Sequence, residues 1–526
     1  MRLLVRRGRV VDPATGTDGV LDVLIDGGSV AAVGKDLSAA GVDRTIDASG
    51  LVVVPGLIDM HVHLREPGNE AKETIATGVR AAVRGGFTTV CAMPNTDPVN
   101  DRPETTAWIR AEARRAGLAN VLPIAAVGSG LSPADIDRTI DASGLVVVPG
   151  LIDMHVHLRE PGCEAKETIA TGLRAAVRGG FTTVCAMPNT NPVNDGPETT
   201  AWVRTEAERV GLAEVLPVAA ITKGSRGEEL VDMAACVAAG AIAFSDDGRP
   251  VPSGPIMRRA LAGAAAAGSL VIDHCEDKAL AADGVMHAGA AAARLGLPGI
   301  PSASEDVIVA RDIALAEELG VRVHIAHLST AGGVALVGEA KRRRVRVSAE
   351  ATPHHLFLTD EDVRTPDANF KMNPPLRSAA DAAALIEGLR TGVVDAVATD
   401  HAPHTEADKA RGFLEAPFGI VGLETAVPLL LDRLVRPGVI PLTRFAEALS
   451  SGPARILGLG AKGRIAAGAD ADLTLLDLER PVIVDKTRFE SKGRNTPFEG
   501  WALTGGPAMT IVGGRVVYPF DAGGRT

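Results

Sequence analysis

The sequence predicts an α/β protein: a (β/α)8 barrel of the TIM type, a small β domain built from both chain ends, and one extra duplicated βαβαβ segment. Three observations lead to this fold class. Short strands separated by turns occupy both chain ends, apolar strands alternate with Ala-rich helices in between, and one long stretch occurs twice. With 526 residues, the chain is long enough for one large barrel and an accessory domain.

Both chain ends show the pattern of a small antiparallel β domain. Residues 1–54 alternate apolar segments with turns, as in LLVRRGRVVD, VLIDGGSVAAVG and TIDASGLVVVPG. Residues 457–526 return to this pattern in GRIAAGADADLTLLDL and PAMTIVGGRVVY. We therefore expect residues 1–54 and 457–526 to pair as one non-contiguous domain.

One stretch of the chain occurs twice. Asp43 to Ala126 (copy 1) recurs as Asp137 to Ala220 (copy 2), 94 residues further along, and only ten of the 84 aligned pairs differ. Two copies are too few for a solenoid, which needs about three or more repeats. The pattern indicates an unequal duplication, so one copy is surplus to a single barrel.

The middle of the chain predicts eight parallel strands, each followed by a helix. Three strands come from one copy, as in GLIDMHVHL, FTTVCAMP and NVLPIAA, and five follow: AIAFSDD, SLVIDHCED, VRVHIAHLS, VRVSAEATPHH and VDAVATDHAPH. Copy 2 leads directly into the fourth strand. If copy 1 formed the first three strands instead, copy 2 would be an insertion beside the mouth of the barrel where the strands end. We expect residues 137–456 to form the barrel and residues 55–136 to be the displaced copy.

Composition excludes several classes of partner. The net charge of -11 provides no basic field for nucleic acid. No apolar run approaches the roughly 18 residues of a membrane span, and the N-terminus has no signal-peptide core. The cysteines are odd in number and lack CxxC spacing, which predicts free thiols in a reducing compartment; they are Cys91, Cys163, Cys185, Cys236 and Cys275. We expect a cytoplasmic protein that acts on a small molecule.

Ionisable residues collect where the predicted barrel strands end: His155 and His157 (His61 and His63 in copy 1), Asp246, Asp247, His274, His327, Asp400, His401 and His404. These strand ends meet at one mouth of a barrel. An isolated HxH is more often a structural pair than a metal site. Four histidines and two carboxylates buried together would be costly without a ligand. Imidazole and carboxylate without thiolate suit Zn, Mn or Co in an open hydrolytic site.

The motifs around these residues closely resemble the class I dihydroorotases of the amidohydrolase superfamily: GLIDMHVHLREPG, AMPNTNPVND, AFSDDG, DHCED, HIAHLST, TPHHL, KMNPPLR, ATDHAPH and APFGIVGLETA. The resemblance covers the chain apart from the extra copy. KMNPPLR followed by ATDHAPH distinguishes this family from hydantoinases and allantoinases. The resemblance implies reversible hydrolysis of (S)-dihydroorotate to N-carbamoyl-L-aspartate in de novo pyrimidine biosynthesis, with two divalent metal ions, Zn being favoured.

The resemblance also implies a role for each site residue. One metal is held by His155, His157 and Asp400, the other by His274 and His327, and Asp247 bridges them; AIAFSDD offers no Lys for the carboxylated-lysine bridge of many superfamily members. Asp400 is the implied proton-transfer residue. The implied substrate-binding residues are Arg159, Asn189, Asn373, His404, Phe418 and Gly419. The copy 1 equivalents are His61, His63, Arg65 and Asn95.

Two other functions stay open at this level. One is a hydantoinase-like or allantoinase-like hydrolase, and the other is an inactive dihydroorotase-like scaffold for aspartate transcarbamoylase, whose mark would be lost ligands. A homodimer and a complex with aspartate transcarbamoylase are the partners that we consider. The remaining histidines of the barrel receive no role and are expected to be satisfied or solvent-facing: His287, His324, His354, His355 and His401.

Overall fold

The computed structural model of the chain describes residues 2–100, 103–124, 140, 142–466 and 468–519. It divides into two compact units, Met1–Ile140 and Asp141–Thr526. The second unit contains a nearly closed parallel barrel of eight strands, which confirms the predicted (β/α)8 barrel. None of the described helices is both long and apolar enough to span a bilayer.

The first unit begins with a five-stranded sheet. Its strands are β1 (Arg2–Asp12), β2 (Thr17–Asp26), β3 (Ser29–Gly34), β4 (Arg44–Asp47) and β5 (Val52–Val53), in the order β3-β2-β1-β4 with β5 beside β1. The hairpin between β2 and β3 turns at Gly27 and Gly28, whose φ angles of 57° and 90° explain why glycine occupies both positions.

Copy 1 forms a parallel three-stranded sheet in the same unit. Its elements are β6 (Leu57–Val62), α1 (Ile75–Arg84), β7 (Phe87–Ala92), α2 (Pro103–Ala116) and β8 (Asn120–Pro123). Helix α1 begins at a capping box in which the side chains of Thr74 and Thr77 each bond the other's backbone N–H. Copy 2 repeats this cap with Thr168 and Thr171, so the local fold of each copy follows from its own sequence.

Copy 2 supplies the first three strands of the barrel. The barrel strands, in hydrogen-bonded order, are β10 (Leu151–Val156), β11 (Phe181–Ala186), β12 (Glu214–Ala219), β13 (Ala243–Phe244), β14 (Val271–Asp273), β17 (Val323–Ile325), β18 (Val347–Ala351) and β19 (Ala396–Val397). Val156 pairs with His401 just beyond β19, and Thr399 donates to the Asp153 carboxylate. These contacts join the last strand to the first.

Helices surround this barrel and connect its strands. They are α3 (Ile169–Arg178), α4 (Pro197–Val210), α5 (Met233–Ala238), α6 (Gly254–Ala266), α7 (Lys278–Ala281), α8 (Ala290–Leu295), α9 (Ala303–Leu319), α10 (Ala331–Arg342), α11 (Pro353–Phe357), α12 (Ala379–Thr391), α13 (Glu406–Lys409), α14 (Ala426–Leu430), α15 (Leu442–Ala446) and α16 (Gly452–Leu457). A short two-stranded sheet, β15 (Met286–His287) and β16 (Gly299–Ile300), lies in the connection between β14 and α9.

The chain ends differ from the predicted arrangement. The C-terminal strands β20 (Leu473–Ile483), β21 (Ala502–Val512) and β22 (Arg515–Tyr518) form a sheet with β9 (Val146–Pro149), whereas the N-terminal strands form the separate sheet described above. The reason lies in the duplication. The duplicated stretch includes LVVVPG, and its second occurrence, at 145–150, leads directly into the first barrel strand. The C-terminal strands therefore pair with β9, which immediately precedes the first barrel strand in the sequence.

The same residues have different environments in the two copies. Ile152 and Met154 of β10 are fully buried, as is usual for a parallel strand covered on both faces. Their copy 1 equivalents, Ile58 and Met60, are 62% and 76% exposed. Copy 1 therefore keeps the apolar face of a barrel segment without the remaining strands that would cover it.

Candidate metal centre

Two buried clusters of ligand-type side chains meet at the mouth formed by the carboxyl ends of the barrel strands. One contains His155, His157 and Asp247, and the other contains Asp247, His274 and His327. All five side chains are buried. Asp247 belongs to both clusters, because it follows the short strand β13 and reaches the histidines at the ends of β10, β14 and β17.

The distances between these side chains suit cation binding. Asp247 Oδ1 lies 3.3 Å from His155 Nε2 and 3.5 Å from both His274 Nδ1 and His327 Nε2. Ligands about 2.0–2.2 Å from a tetrahedral cation lie roughly 3.4 Å apart. Asp247 Oδ1 and His155 Nε2 are buried without a hydrogen-bond partner, an arrangement that is costly unless a ligand satisfies both atoms.

Asp400 joins the first cluster from the end of β19. Its Oδ1 lies 3.0 Å from His157 Nε2 and 3.6 Å from His155 Nε2. Burial alone would raise the pKa of the Asp400 carboxyl, but the hydrogen bond with His157 and the neighbouring His155 and His327 imidazoles hold this pKa well below its usual range. The carboxylate is therefore ionised and can serve as a ligand or accept a proton.

Three site residues have a left-handed backbone conformation that non-glycine residues rarely adopt. The φ angles are 61° at Arg159, 30° at His327 and 47° at Asp400. Such conformations are energetically unfavourable and persist where the surrounding fold imposes them, which is common at functional sites. The three residues follow strands β10, β17 and β19, respectively.

Further polar groups hold the ligand-type histidines in place. His157 Nδ1 lies 2.7 Å from Asn189 Oδ1, His155 Nδ1 lies 3.2 Å from Glu350 Oε1, and His274 Nε2 lies 3.4 Å from Glu276 Oε2. Histidine ligands of metals commonly use their second nitrogen in this way. The sequence patterns did not indicate Glu276 or Glu350; the detectable signal for Glu350 was a carboxylate among the small residues of VRVSAEATPHH.

The predicted substrate-binding residues surround the same mouth. Arg159 Nη2 lies 3.4 Å from His404 Nε2, which lies 2.8 Å from the carbonyl oxygen of Phe418. Asn373 Nδ2 donates to Glu276 Oε2 over 3.1 Å. Burial and the adjacent Arg159 guanidinium lower the pKa of His404 to about 2, so its imidazole is neutral at physiological pH.

The backbone conformation and close packing at position 419, beside the mouth, require glycine. Its φ is 124°, and a Cβ there would lie 2.6 Å from the Ala402 side chain. Its N–H donates to the carbonyl oxygen of Lys371 over 2.9 Å. This close packing places the backbone of residues 418 and 419 next to His404.

Several predicted candidates lie outside the two clusters. The Asp246 carboxylate accepts from the backbone N–H groups of Ile221 and Thr222 over 2.8 and 3.1 Å and supports the neighbouring turn. His401 contacts Glu167. In copy 1, His63 Nδ1 lies 2.8 Å from Asn95 Oδ1, as in copy 2, but no described residue of copy 1 belongs to either ligand cluster.

All five cysteines are free, as predicted. Cys275 lies between Asp273 and Asp312 and is fully buried with them. Burial in the presence of these carboxylates raises the pKa of the Cys275 thiol well above its ordinary value. This thiol is therefore protonated and unreactive at neutral pH.

The sequence is similar to those of known dihydroorotases. A family model described as dihydro-orotase-like matches residues 50–135 and 144–332, and so matches both copies. The dihydroorotase of Pelotomaculum thermopropionicum is 56% identical over 75% of this chain and 92% of its own length. That of Geobacillus sp. WCH70 is 52% identical over the same shares.

Solved structures share the fold. L-Hydantoinase from Arthrobacter aurescens superposes with a TM-score of 0.65 at 24% identity, covering 98% of this chain and 95% of its own. Dihydropyrimidinase from Brevibacillus agri gives a TM-score of 0.60 at 21% identity, with the same coverage. At this identity the likeness concerns the barrel architecture, whereas the higher sequence identities are those to the dihydroorotases.

Proposed function

The chain belongs to the dihydro-orotase-like family, and we propose that it is a metal-dependent dihydroorotase. The reaction is the reversible hydrolysis of (S)-dihydroorotate to N-carbamoyl-L-aspartate, a step of de novo pyrimidine biosynthesis. The observation that carries the proposal is the pair of His and Asp clusters sharing Asp247 at the barrel mouth, in a chain closely related to named dihydroorotases.

The side chains present fit two divalent cations, of which we favour Zn. His155, His157 and Asp400 would hold one cation, His274 and His327 the other, and Asp247 would bridge them. When bound, such cations polarise a carbonyl group and lower the pKa of a water molecule towards neutrality. The unsatisfied atoms of His155 and Asp247 support this assignment.

The remaining side chains supply orientation and proton transfer. Arg159 can hold the substrate carboxylate through a two-pronged ion pair, with Asn189, Asn373 and His404 beside it, and the backbone of Phe418 and Gly419 faces the ring. Asp400 accepts the proton of the attacking water and delivers it to the leaving ring nitrogen as the amide C–N bond breaks. A new carboxylate and a free carbamoyl amide result.

Substrate comparison tests this proposal. Purified protein is assayed for ring opening of dihydroorotate, hydantoin and allantoin before and after treatment with a chelator, and again after Zn is added back. We expect turnover of dihydroorotate alone, loss on chelation and recovery with Zn. Preference for hydantoin or allantoin would favour the other hydrolase class, and a metal-free, inactive protein would favour the scaffold.

Substituting Arg159 with Lys tests carboxylate recognition. An ammonium group cannot reproduce the planar guanidinium fork, and loss of a charge-assisted pair costs roughly 2 kcal/mol. We expect the KM for dihydroorotate to rise about thirtyfold with a smaller change in kcat. The matched control is Arg65→Lys, the equivalent position in copy 1, which should leave both constants unchanged. If Arg159→Lys leaves both constants within twofold, the carboxylate is held elsewhere.

Partners beyond the substrate stay predictions. A homodimer and a complex with aspartate transcarbamoylase are both compatible with a family member of this kind. Sedimentation of the purified chain, alone and mixed with aspartate transcarbamoylase, distinguishes a monomer, a dimer and a mixed assembly.

A further inference from the structure

Glu350 is a fully buried carboxylate at the carboxyl end of strand β18, beneath the candidate metal centre. Its Oε1 lies 3.2 Å from Nδ1 of His155, and its Oε2 lies 3.1 Å from Nε2 of His324. The His324 ring in turn contacts the Ser348 hydroxyl through Nδ1 over 2.8 Å. The carboxylate is therefore held by histidines of two other barrel strands, β10 and β17.

The contact with His155 determines which nitrogen of that ring faces the mouth. With Nδ1 directed at the Glu350 carboxylate, Nε2 is the nitrogen that faces the mouth, 3.3 Å from Asp247. A histidine ligand must present an unprotonated nitrogen to a cation. Without this partner, the ring could adopt the other tautomer or rotate.

The same carboxylate oxygen also contacts the second cluster. The backbone N–H of His327 donates to Glu350 Oε1 over 3.4 Å, and the next residue, Leu328, donates to the Glu350 carbonyl oxygen over 2.8 Å. His327 is one of the left-handed residues, with φ of 30°. Glu350 thus contacts the chain at a point where the backbone must be held in an unfavourable conformation.

We propose that Glu350 is a positioning residue that holds His155 and His327 together, so that both cation positions depend on one buried carboxylate. The proposal rests on the proposed function, because it concerns how that function's metal centre is built. Glu276 provides the contrast: its contacts with ligand-type and substrate-binding side chains are with His274 and Asn373. We therefore expect Glu276 to influence cation binding at one position and the orientation of Asn373 towards the substrate.

The test measures cation binding to metal-free protein and does not depend on turnover. Apo wild type, Glu350→Gln, Glu350→Ala and Glu276→Gln are titrated with Co²⁺ by calorimetry and by visible absorption, which reports the coordination of each bound ion. Asp472→Asn is the matched control, since its buried carboxylate contacts Lys462 and the backbone N–H of Gly513 and no ligand-type histidine.

Loss of a group that orients metal ligands typically lowers affinity roughly 10- to 100-fold. We expect Glu350→Ala to weaken both cation positions by this amount. Glu350→Gln keeps the shape of the side chain and one acceptor oxygen. It should bind Co²⁺ more weakly than wild type but more tightly than Glu350→Ala. Glu276→Gln should weaken one position, and Asp472→Asn should lower the Tm without changing cation affinity. At saturating Co²⁺, Glu350→Gln should regain much of its dihydroorotate turnover with KM unchanged.

Different results identify which proposal fails. If wild type binds two cations and hydrolyses dihydroorotate, but both Glu350 variants bind Co²⁺ with affinities within twofold of wild type, the positioning role is wrong and the proposed function stands. If apo wild type binds no cation, the metal-dependent function fails and the positioning role fails with it. If Glu350→Ala does not fold, the test rests on Glu350→Gln. A Co²⁺ affinity equal to that of wild type in this variant would overturn the proposal.

Discussion

Replacing Asp400 with Ala is expected to abolish turnover of dihydroorotate while the protein stays folded. A positioned acid or base contributes roughly 100- to 10 000-fold to a rate, and Asp400 is in addition 3.0 Å from the ligand-type nitrogen of His157. Both contributions disappear with the side chain. The measurement is kcat at saturating substrate, together with a circular dichroism melt.

Asp400→Asn is the matched variant, because it keeps the size of the side chain and removes its basicity. It should also lose turnover while retaining more cation binding than Asp400→Ala. Turnover by Asp400→Ala within tenfold of wild type would show that another group transfers the proton.

Replacing Asp247 with Ala is expected to have an equally large effect, through metal content. Its Oδ1 lies within 3.5 Å of ligand-type nitrogens on His155, His274 and His327. Without it the histidines lack their shared anionic partner, and the two proposed cation positions would lose their common ligand. We expect fewer than two bound metals per chain by elemental analysis, and no measurable turnover.

The neighbouring Asp246→Asn is the control for this experiment. Asp246 supports a turn through the backbone of Ile221 and Thr222, so its loss should lower the Tm and leave metal content unchanged. Two metals per chain with normal turnover in Asp247→Ala would contradict the bridging role.

The barrel and the residues gathered at its mouth could be predicted because both depend on local pattern. Strand and helix periods identify the βα units, and the parallel topology then brings all strand ends to one face. His155 and Asp400 are separated by 245 positions in the sequence, yet this rule alone places them together. Glu350, which contacts His155, was not predicted. The role of a single carboxylate on a strand depends on which side chains surround it in the fold, and the sequence does not give these neighbours.

The arrangement of the chain ends could not be predicted. The duplication copies the barrel strands and also the strand with which the C-terminal strands could pair. Two stretches, Leu51–Pro55 and Leu145–Pro149, have identical sequences, so the pattern could not show which one the C-terminal strands would use. The structure uses Val146–Pro149. Proximity along the chain to the first barrel strand accounts for this choice.

The few differences between the copies favour copy 2 in the barrel. Leu173 is fully buried there where copy 1 has Val79, and a missing methylene in a core costs about 0.5–1.5 kcal/mol. Glu214 pairs with Lys462 over 2.8 Å, whereas copy 1 has Asn120. Val218 is fully buried among barrel side chains, and the larger Ile124 of copy 1 would overfill that site.

Two double variants, His155→Ala/His157→Ala and His61→Ala/His63→Ala, show most directly which copy builds the metal centre when both are compared for bound metal and dihydroorotate turnover. We expect the copy 2 variant to lose metal and all activity and the copy 1 variant to match wild type, because His61 and His63 are exposed and belong to neither cluster. Loss of activity in the copy 1 variant with an active copy 2 variant would show that copy 1 builds the site instead. Partial loss of activity in both variants would show that the two copies exchange within the population, which also contradicts a site built by copy 2.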